Sequence, residues 1–198
     1  MNRRTKTAVL GAALLLTAAG AAAAASGTEG SSKVSASGTG RSPEAAASAG
    51  QRAREAAALT GSAKLYRSGG DDITFTFDAH LAAKHRTDPT KATGTFEFSH
   101  YVGGEGGWAK VRVDCLVTGG EVAVVSGVVT GSDLPGVKGK RLGVTVHDRG
   151  RDDRLGYSWA TTEGMGPKNL PKCVSSAPFE KVEKGTGDFT VLPWNPPL

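Results

Sequence analysis

Three aspartates, Asp148, Asp152 and Asp153, lie within residues 148–154, which form the densest charged stretch of the chain. Carboxylate oxygens grouped in a short loop suit Ca²⁺, so these aspartates are the candidate metal ligands, and calcium is the one cofactor considered. Arginines alternate with the acids and would neutralise them without a metal, and the spacing is not that of an EF-hand loop. The segment is therefore interpreted either as a calcium site or as a solvated turn between two strands.

His147 next to Asp148 is the second candidate, because an imidazole beside a carboxylate can serve as a general acid and base. His80 and His147 both fall on the polar phase of predicted strands. They could therefore meet on one face and, with Asp78 or Asp148, form an acid–base pair or a metal site. The alternative is that these histidines lie apart on the surface. No serine sits in the strand–turn–helix elbow of nucleophilic hydrolases, so the catalytic residues of any enzyme here are otherwise unknown.

Tyr157 and Trp159 form the third candidate, a ligand platform. Alternate residues of a strand point to the same face, so the two rings could offer a stacking surface to a sugar ring. The alternative is core packing, because a small barrel fills its interior with side chains, and the chain has few large aromatics.

Cys115 and Cys173 are the only two cysteines. In an exported protein two cysteines usually pair, and closing a loop of about 59 residues would contribute about 4 kcal/mol. Short Cys and His spacings of the kind that bind zinc do not occur. We therefore predict a Cys115–Cys173 disulfide, with Cys115 pointing into the core.

Residues 1–25 decide the compartment in which these groups would work. Basic residues at 3, 4 and 6, an apolar run over 8–19 and an alanine tract predict a secretory signal peptide. Its removal takes three basic residues and no acid, so the net charge of +5 falls to +2. A concentrated basic stripe for nucleic acid is absent from the remaining sequence, and every apolar run is shorter than the ~20 residues of a membrane span. The mature chain is expected to be secreted, extracellular and monomeric.

The domain boundaries follow from composition. Residues 26–59 are rich in Ala, Gly, Ser and Thr and poor in large apolar side chains, which predicts a linker that is at most partly helical. Residues 60–192 predict the folded β domain, and residues 193–198 form a Pro-rich tail.

Within residues 60–192, apolar and polar residues begin to alternate with a period of two. Ile73, Phe75 and Phe77 alternate with Thr74 and Thr76, which predicts a strand with one buried face. Similar alternation or apolar runs recur near 96–98, 111–117, 122–130, 142–146, 155–160 and 189–192, with a Gly-Gly turn at 119–120 that suits a tight hairpin. The valines at 122 and 124 are expected to face the core. The sequence predicts an all-β antiparallel barrel or sandwich of about eight strands, and a barrel is preferred because closure removes exposed edges.

The same segments resemble secreted bacterial proteins described as repetin-like. The resemblance is carried by VDCL at 113–116, AVVSGVV at 123–129, HDRG at 147–150, the late Cys173 and GDFTV at 187–191. It departs from the pattern in the longer glycine loop at 103–107 and in the Pro-rich end. It implies a compact exported β domain and carries over no functional residue.

Together these features predict an exported, non-enzymatic β-barrel domain that binds a small molecule or a component of the cell envelope. A hydrolase using the His147-Asp148 region is the first alternative. The second is an interaction or inhibitor module, for which the loops at 132–136 and 164–167 are the candidate contact segments.

Overall fold

The computed structural model describes residues 54–159 and 170–194, and of Trp159 only the backbone. The predicted signal peptide, most of the predicted linker, the loop at 164–167 and the last four residues lie outside this described part. In the described part no helix is long and apolar enough to cross a membrane.

The described chain contains nine strands in one antiparallel sheet, so the prediction of an all-β antiparallel fold is confirmed. The strands are β1 (Glu55–Lys64), β2 (Asp72–Ala82), β3 (Thr93–Val102), β4 (Glu105–Gly119), β5 (Val122–Ser132), β6 (Arg141–His147), β7 (Arg154–Trp159), β8 (Glu180–Lys181) and β9 (Asp188–Leu192). Short 3₁₀ turns lie at Ala83–His85, Pro89–Lys91 and Gly150–Asp152.

The strands form one antiparallel sheet in the order β8-β7-β6-β5-β4-β3-β2-β1-β9, curved into a half-barrel. The two edge strands, β8 and β9, are consecutive in the chain, so the sheet must bring its edges together. Leu65, just beyond β1, pairs with Val182, just beyond β8, so the ends of β1 and β8 meet. Beside this bridge the Tyr66 N–H donates to the Lys181 carbonyl and the Glu183 N–H donates to the Lys64 carbonyl, each at 2.8 Å.

Aromatic rings fill the interior. Phe75 lies 5.8 Å from Phe98, and Phe77 lies 5.7 Å from Phe96 and 5.3 Å from Phe189, measured between ring centroids. Leucines and valines from β1, β4, β5, β6 and β7 surround this cluster and are completely buried. The centre of the half-barrel is thus packed with side chains, and any ligand site must lie at its ends or on its loops.

The phase of β2 agrees with the sequence, since Ile73, Phe75 and Phe77 are buried. The phase predicted for the β4–β5 hairpin is wrong in two places. A β-bulge between Val113 and Cys115 adds one residue to β4, so Leu116 faces the core and Cys115 faces outward opposite Ser126. On β5 the inward residues are Ala123 and Val125, and the valines at 122 and 124 point the other way.

Residues 170–178, which we term the outer strap, cover the outward face of the β5–β7 region. The predicted disulfide joins the strap to β4, with the Cα atoms of Cys115 and Cys173 5.4 Å apart. The strap lies so close to the sheet that a Cβ on Gly143 or Gly156 would collide with carbonyl oxygens of strap residues. The strap also contacts β5 through the Cys173 N–H and the Ser126 hydroxyl, so the outward face of β5 is partly covered, which agrees with its largely apolar sequence.

The folded domain starts earlier than the composition predicts. Strand β1 begins at Glu55, inside the predicted linker, and its Ala57 and Leu59 are completely buried. At the other end Trp194, in the predicted tail, donates its indole N–H to the Arg86 carbonyl at 2.7 Å. Small alanine side chains suffice at β1 because it lies between β2 and β9, facing the large phenylalanines of the core.

We predict that Phe75→Ala lowers the free energy of unfolding by about 3–5 kcal/mol, because it removes a buried ring at the centre of the core. Thr74→Ala, on the outward face of the same strand, should cost less than about 1 kcal/mol. Urea unfolding of both variants tests the register. Equal losses would show that the inward face of β2 is misassigned.

Candidate functional site

A cavity of about 340 Å³ opens at the end of the half-barrel where β2 begins and β3 ends. We term it the mouth cavity. Its lining residues come from β2, β3, β4, β7 and the loop after β5: Ile73, Phe98, His100, Gly106, Gly107, Leu134 and Tyr157.

Apolar side chains make the floor of the mouth cavity. Ile73 and Phe98 are inward-facing members of the core, so the cavity ends on the packed interior. The half-buried ring of Tyr157 lies 5.5 Å from the Phe75 ring and forms the wall contributed by β7. A ligand entering here would therefore exchange water for aromatic and aliphatic surface.

Leu134 forms the opposite wall, and its loop is held rigidly. The Ser132 hydroxyl donates to the Trp108 carbonyl at 2.6 Å and accepts the Leu134 N–H at 2.9 Å. Asp133 accepts the Trp108 N–H at 2.7 Å. A Cβ at Gly107 would come within 2.6 Å of Leu134 Cδ2, so a larger residue there would displace the side chains of Leu134 and Asp133. The predicted contact loop at 132–136 is thus docked at its first three residues.

Two polar groups border the apolar walls, the imidazole of His100 and the phenol of Tyr157, and each has a charged neighbour. His100 Nε2 lies 3.2 Å from an Asp71 carboxylate oxygen. Arg67 is ion-paired with Glu180, and this hydrogen bond is the main cause that raises the pKa of Arg67. Arg67 also interacts with the hydroxyl of Tyr157. A ligand with an apolar body and one polar end would find an imidazole and a phenol already oriented by neighbours.

The predicted stacking platform is described in part. Tyr157 lines the mouth cavity and packs on Phe75, so its ring serves both the core and the candidate site. The side chain of Trp159 lies outside the described part, and the platform as a pair stays a prediction.

The histidines of the predicted acid–base pair lie apart. His80 faces outward on β2, with Nδ1 2.8 Å from Glu55 and Nε2 2.8 Å from Asp78. His147 ends β6, and its nearest carboxylate is Glu121 at 3.8 Å. Strands β3, β4 and β5 separate the two positions in the sheet. The geometry gives the hydrolase hypothesis no support.

The three candidate calcium ligands have other partners. Asp148 accepts the N–H groups of Gly150 and Val191, and Asp153 accepts those of Arg149 and Phe189. Asp152 lies 3.4 Å from Lys184 Nζ. Within the described residues no group of three or more His, Cys, Asp or Glu side chains is arranged to hold a metal ion. The structure uses these acids to organise the loop and β9.

Most of the mouth cavity was not predicted. Ile73 and Phe98 are recognisable only as core residues, and His100 has no neighbouring motif. Arg67 and Glu180 are more than a hundred residues apart, so only barrel closure brings them together. The Gly-Gly pair at 106–107 and the Ser-Asp-Leu-Pro turn at 132–135 mark a close approach of two loops, which was the one available signal.

Comparison with known proteins adds no relative. A scan of the chain against protein-family models finds no match, and searches of curated proteins and of solved structures find none. The resemblance to repetin-like proteins stays a prediction.

Asp153 is a buried acid with an unusual environment. Its side chain is 1 % exposed, and burial is the main cause that raises the pKa of its carboxyl above the ordinary value for aspartate. The nearby Asp188 carboxyl raises the pKa further, whereas the N–H groups of Arg149 and Phe189 act in the opposite direction. The folded state therefore keeps this proton at pH values where the unfolded chain has lost it.

We predict that Asp153 makes the free energy of unfolding fall as pH rises through the folded pKa of its carboxyl. Below the pKa of the unfolded chain, Asp153 is protonated in both states, and its stabilising contribution to the free energy of unfolding is fully present. Above the folded pKa this contribution is lost. Asp188→Asn removes the neighbouring charge, so it should flatten this part of the curve and stabilise the protein above it. Urea unfolding between about pH 4 and pH 8 measures the effect. Asp152→Asn in the same loop is the control, and equal slopes for wild type and D188N would contradict the prediction.

Proposed function

We propose that the protein is an exported binding protein that holds a small molecule in the mouth cavity. The observation that carries the proposal is the cavity itself, which has apolar walls and convergent polar groups on rigid elements. This combination is the usual form of a small-molecule site. Two of its seven lining residues, His100 and Tyr157, have side chains that can exchange hydrogen bonds with a ligand.

The size of the cavity limits the ligand. At about 340 Å³ it lies near the lower end of the range for ligand pockets, about 300–1,000 Å³. A single ring fits better than a lipid or a dinucleotide. Ile73, Phe98 and Leu134 favour an aromatic or alicyclic body, and the phenol and imidazole favour one hydroxyl or carboxylate on it.

Export is supported from two directions. The first 25 residues have the layout of a signal peptide, and the Cys115–Cys173 disulfide is of the kind that persists in oxidising compartments. The site would then meet ligands outside the cytoplasm.

We predict that the protein binds a single-ring probe at the mouth cavity with a Kd below about 1 mM. Suitable probes are indole, phenol, benzoate and cyclohexanol, added separately to ¹⁵N-labelled protein. Backbone amide shifts should concentrate at residues 73, 98–100, 107 and 134. Leu134→Trp should weaken binding at least about tenfold, because the larger ring occupies the cavity.

Val137→Trp is the matched control. Val137 lies in the same loop and is also partly buried against the core, but it does not line the cavity. Circular dichroism and the urea midpoint show whether both variants fold. No binding of any probe, or equal loss in both folded variants, would overturn the proposal.

A further inference from the structure

A second concave region lies on the loops, away from the residues that line the mouth cavity. Cavities of about 570 Å³ and about 250 Å³ adjoin between the turn after β6 and the chain from β8 to β9, and they share Val182 and Lys184. Five cationic side chains line them, and we term this region the cationic cleft: Arg149, Arg151, Arg154, Lys181 and Lys184.

Most of these cations are not neutralised. Within the described part of the chain, the side chains of Arg149, Arg151 and Lys181 form no hydrogen bond or ion pair. Arg154 donates only to the Phe179 carbonyl at 3.4 Å, and Lys184 faces Asp152 at 3.4 Å.

The acids of the cleft cancel only part of this charge, because four acids line it beside the five cations. Both carboxylate oxygens of Asp153 accept backbone N–H groups, and Asp152 is offset by Lys184. Glu183 and Asp188 are exposed members of the lining. With all four acids charged, the cleft keeps a formal excess of one positive charge, and its guanidinium groups can bind anions in a bidentate manner.

Exposed aromatic rings border the cations. Phe179 is 79 % exposed and Tyr66 is 56 % exposed, the two highest values among the large hydrophobic residues described as exposed. Arg154 pairs with Lys181 across β7 and β8, and the Tyr66 N–H donates to the Lys181 carbonyl. Residues opposed on neighbouring antiparallel strands share a face, so Tyr66, Lys181 and Arg154 form one row, with Phe179 two residues before Lys181.

We infer that the cationic cleft and this aromatic row bind an acidic polysaccharide, independently of the mouth cavity. Carboxylate or sulfate groups on the sugars would pair with Arg149, Arg151 and Lys181, and the apolar faces of the sugar rings would stack on Phe179 and Tyr66. Charge complementarity supplies the attraction. The aromatic side chains favour a ligand with sugar rings over an inorganic anion, which has no ring to stack. The carboxylates of Glu183 and Asp188 would repel the more closely spaced phosphates of a nucleic acid.

The test measures binding of full-length mature protein to four probes by isothermal titration calorimetry. Polygalacturonate and dextran sulfate carry the two anionic groups, neutral dextran carries rings without charge, and oligodeoxythymidine carries phosphate without sugar acids. We expect binding to one or both acidic polysaccharides that weakens as salt is added, and at least about tenfold weaker binding of the other two.

Charge-reversal pairs separate the cleft from net charge. Arg151→Glu with Lys181→Glu should weaken binding at least about tenfold. Arg112→Glu with Lys138→Glu changes the net charge equally at exposed positions elsewhere and should leave binding within about threefold. Phe179→Ala should also weaken binding, whereas Trp108→Ala, at another exposed aromatic, should not.

Three results would overturn the inference: no acidic polysaccharide bound, equal losses in the two charge-reversal pairs, or oligodeoxythymidine bound as tightly as the polysaccharides. Because Arg112, Lys138, Arg151, Lys181 and Phe179 do not line the mouth cavity, single-ring probe binding in the two charge-reversal pairs and in Phe179→Ala tests the proposed function separately.

Discussion

The carboxylates of Asp148 and Asp153 close the half-barrel at an edge where the described part of the chain provides no strand. Strand β9 pairs with β1 on one side, and the N–H groups of Phe189 and Val191 point to the other side, where none of the described residues forms a strand. A buried N–H without an acceptor is costly, and each of these two donates to an aspartate at 3.0 Å. The acids thus replace the backbone carbonyls of a missing strand.

This closure positions both proposed sites. The loop that carries the two aspartates also carries Arg149 and Arg151 of the cationic cleft. On the adjacent edge, the pairing of Leu65 with Val182 brings Arg67 beside Glu180, and Arg67 interacts with Tyr157 of the mouth cavity. Placing Asp153 in a nearly solvent-free position raises the pKa of its carboxyl, so the closure is sensitive to pH.

The outer strap fixes the opposite side of the sheet. Asp114, the residue inserted by the β4 bulge, accepts hydrogen bonds from Ser126 and from Arg141, and Arg141 also donates to the Leu170 carbonyl. Ser126 in turn accepts the Cys173 N–H at 2.9 Å. The bulge therefore turns both Cys115 and this polar group outward, where the strap covers them and the disulfide locks them.

Local sequence patterns predicted those strands that have one buried face and one exposed face. Strand β2 alternates Thr with Phe, so its phase follows from the sequence, and Gly120 has the positive φ of 56° that its turn in the β4–β5 hairpin requires. The cysteine pair was predictable because only two cysteines exist. Strand β1 was hidden by its alanines, and the phase of β5 was hidden because the strap partly covers its outer face.

The candidate sites were less predictable than the fold. Tyr157 was identified as a ligand-platform residue, but its partners in the mouth cavity come from four other segments that only the folded sheet brings together. The aspartates at 148, 152 and 153 were recognised as a functional cluster, but their oxygens bind N–H groups and a lysine. Which donor faces a carboxylate depends on tertiary contacts that spacing does not encode.

Native-state hydrogen exchange of the backbone amides of Phe189 and Val191 tests the closure most directly. If the two aspartates serve as the missing strand, both amides exchange only through global unfolding, with the same protection as Thr190, whose N–H faces β1. Exchange of both amides much faster than Thr190, in a protein whose β2 amides remain fully protected, would show that the carboxylates do not close the barrel.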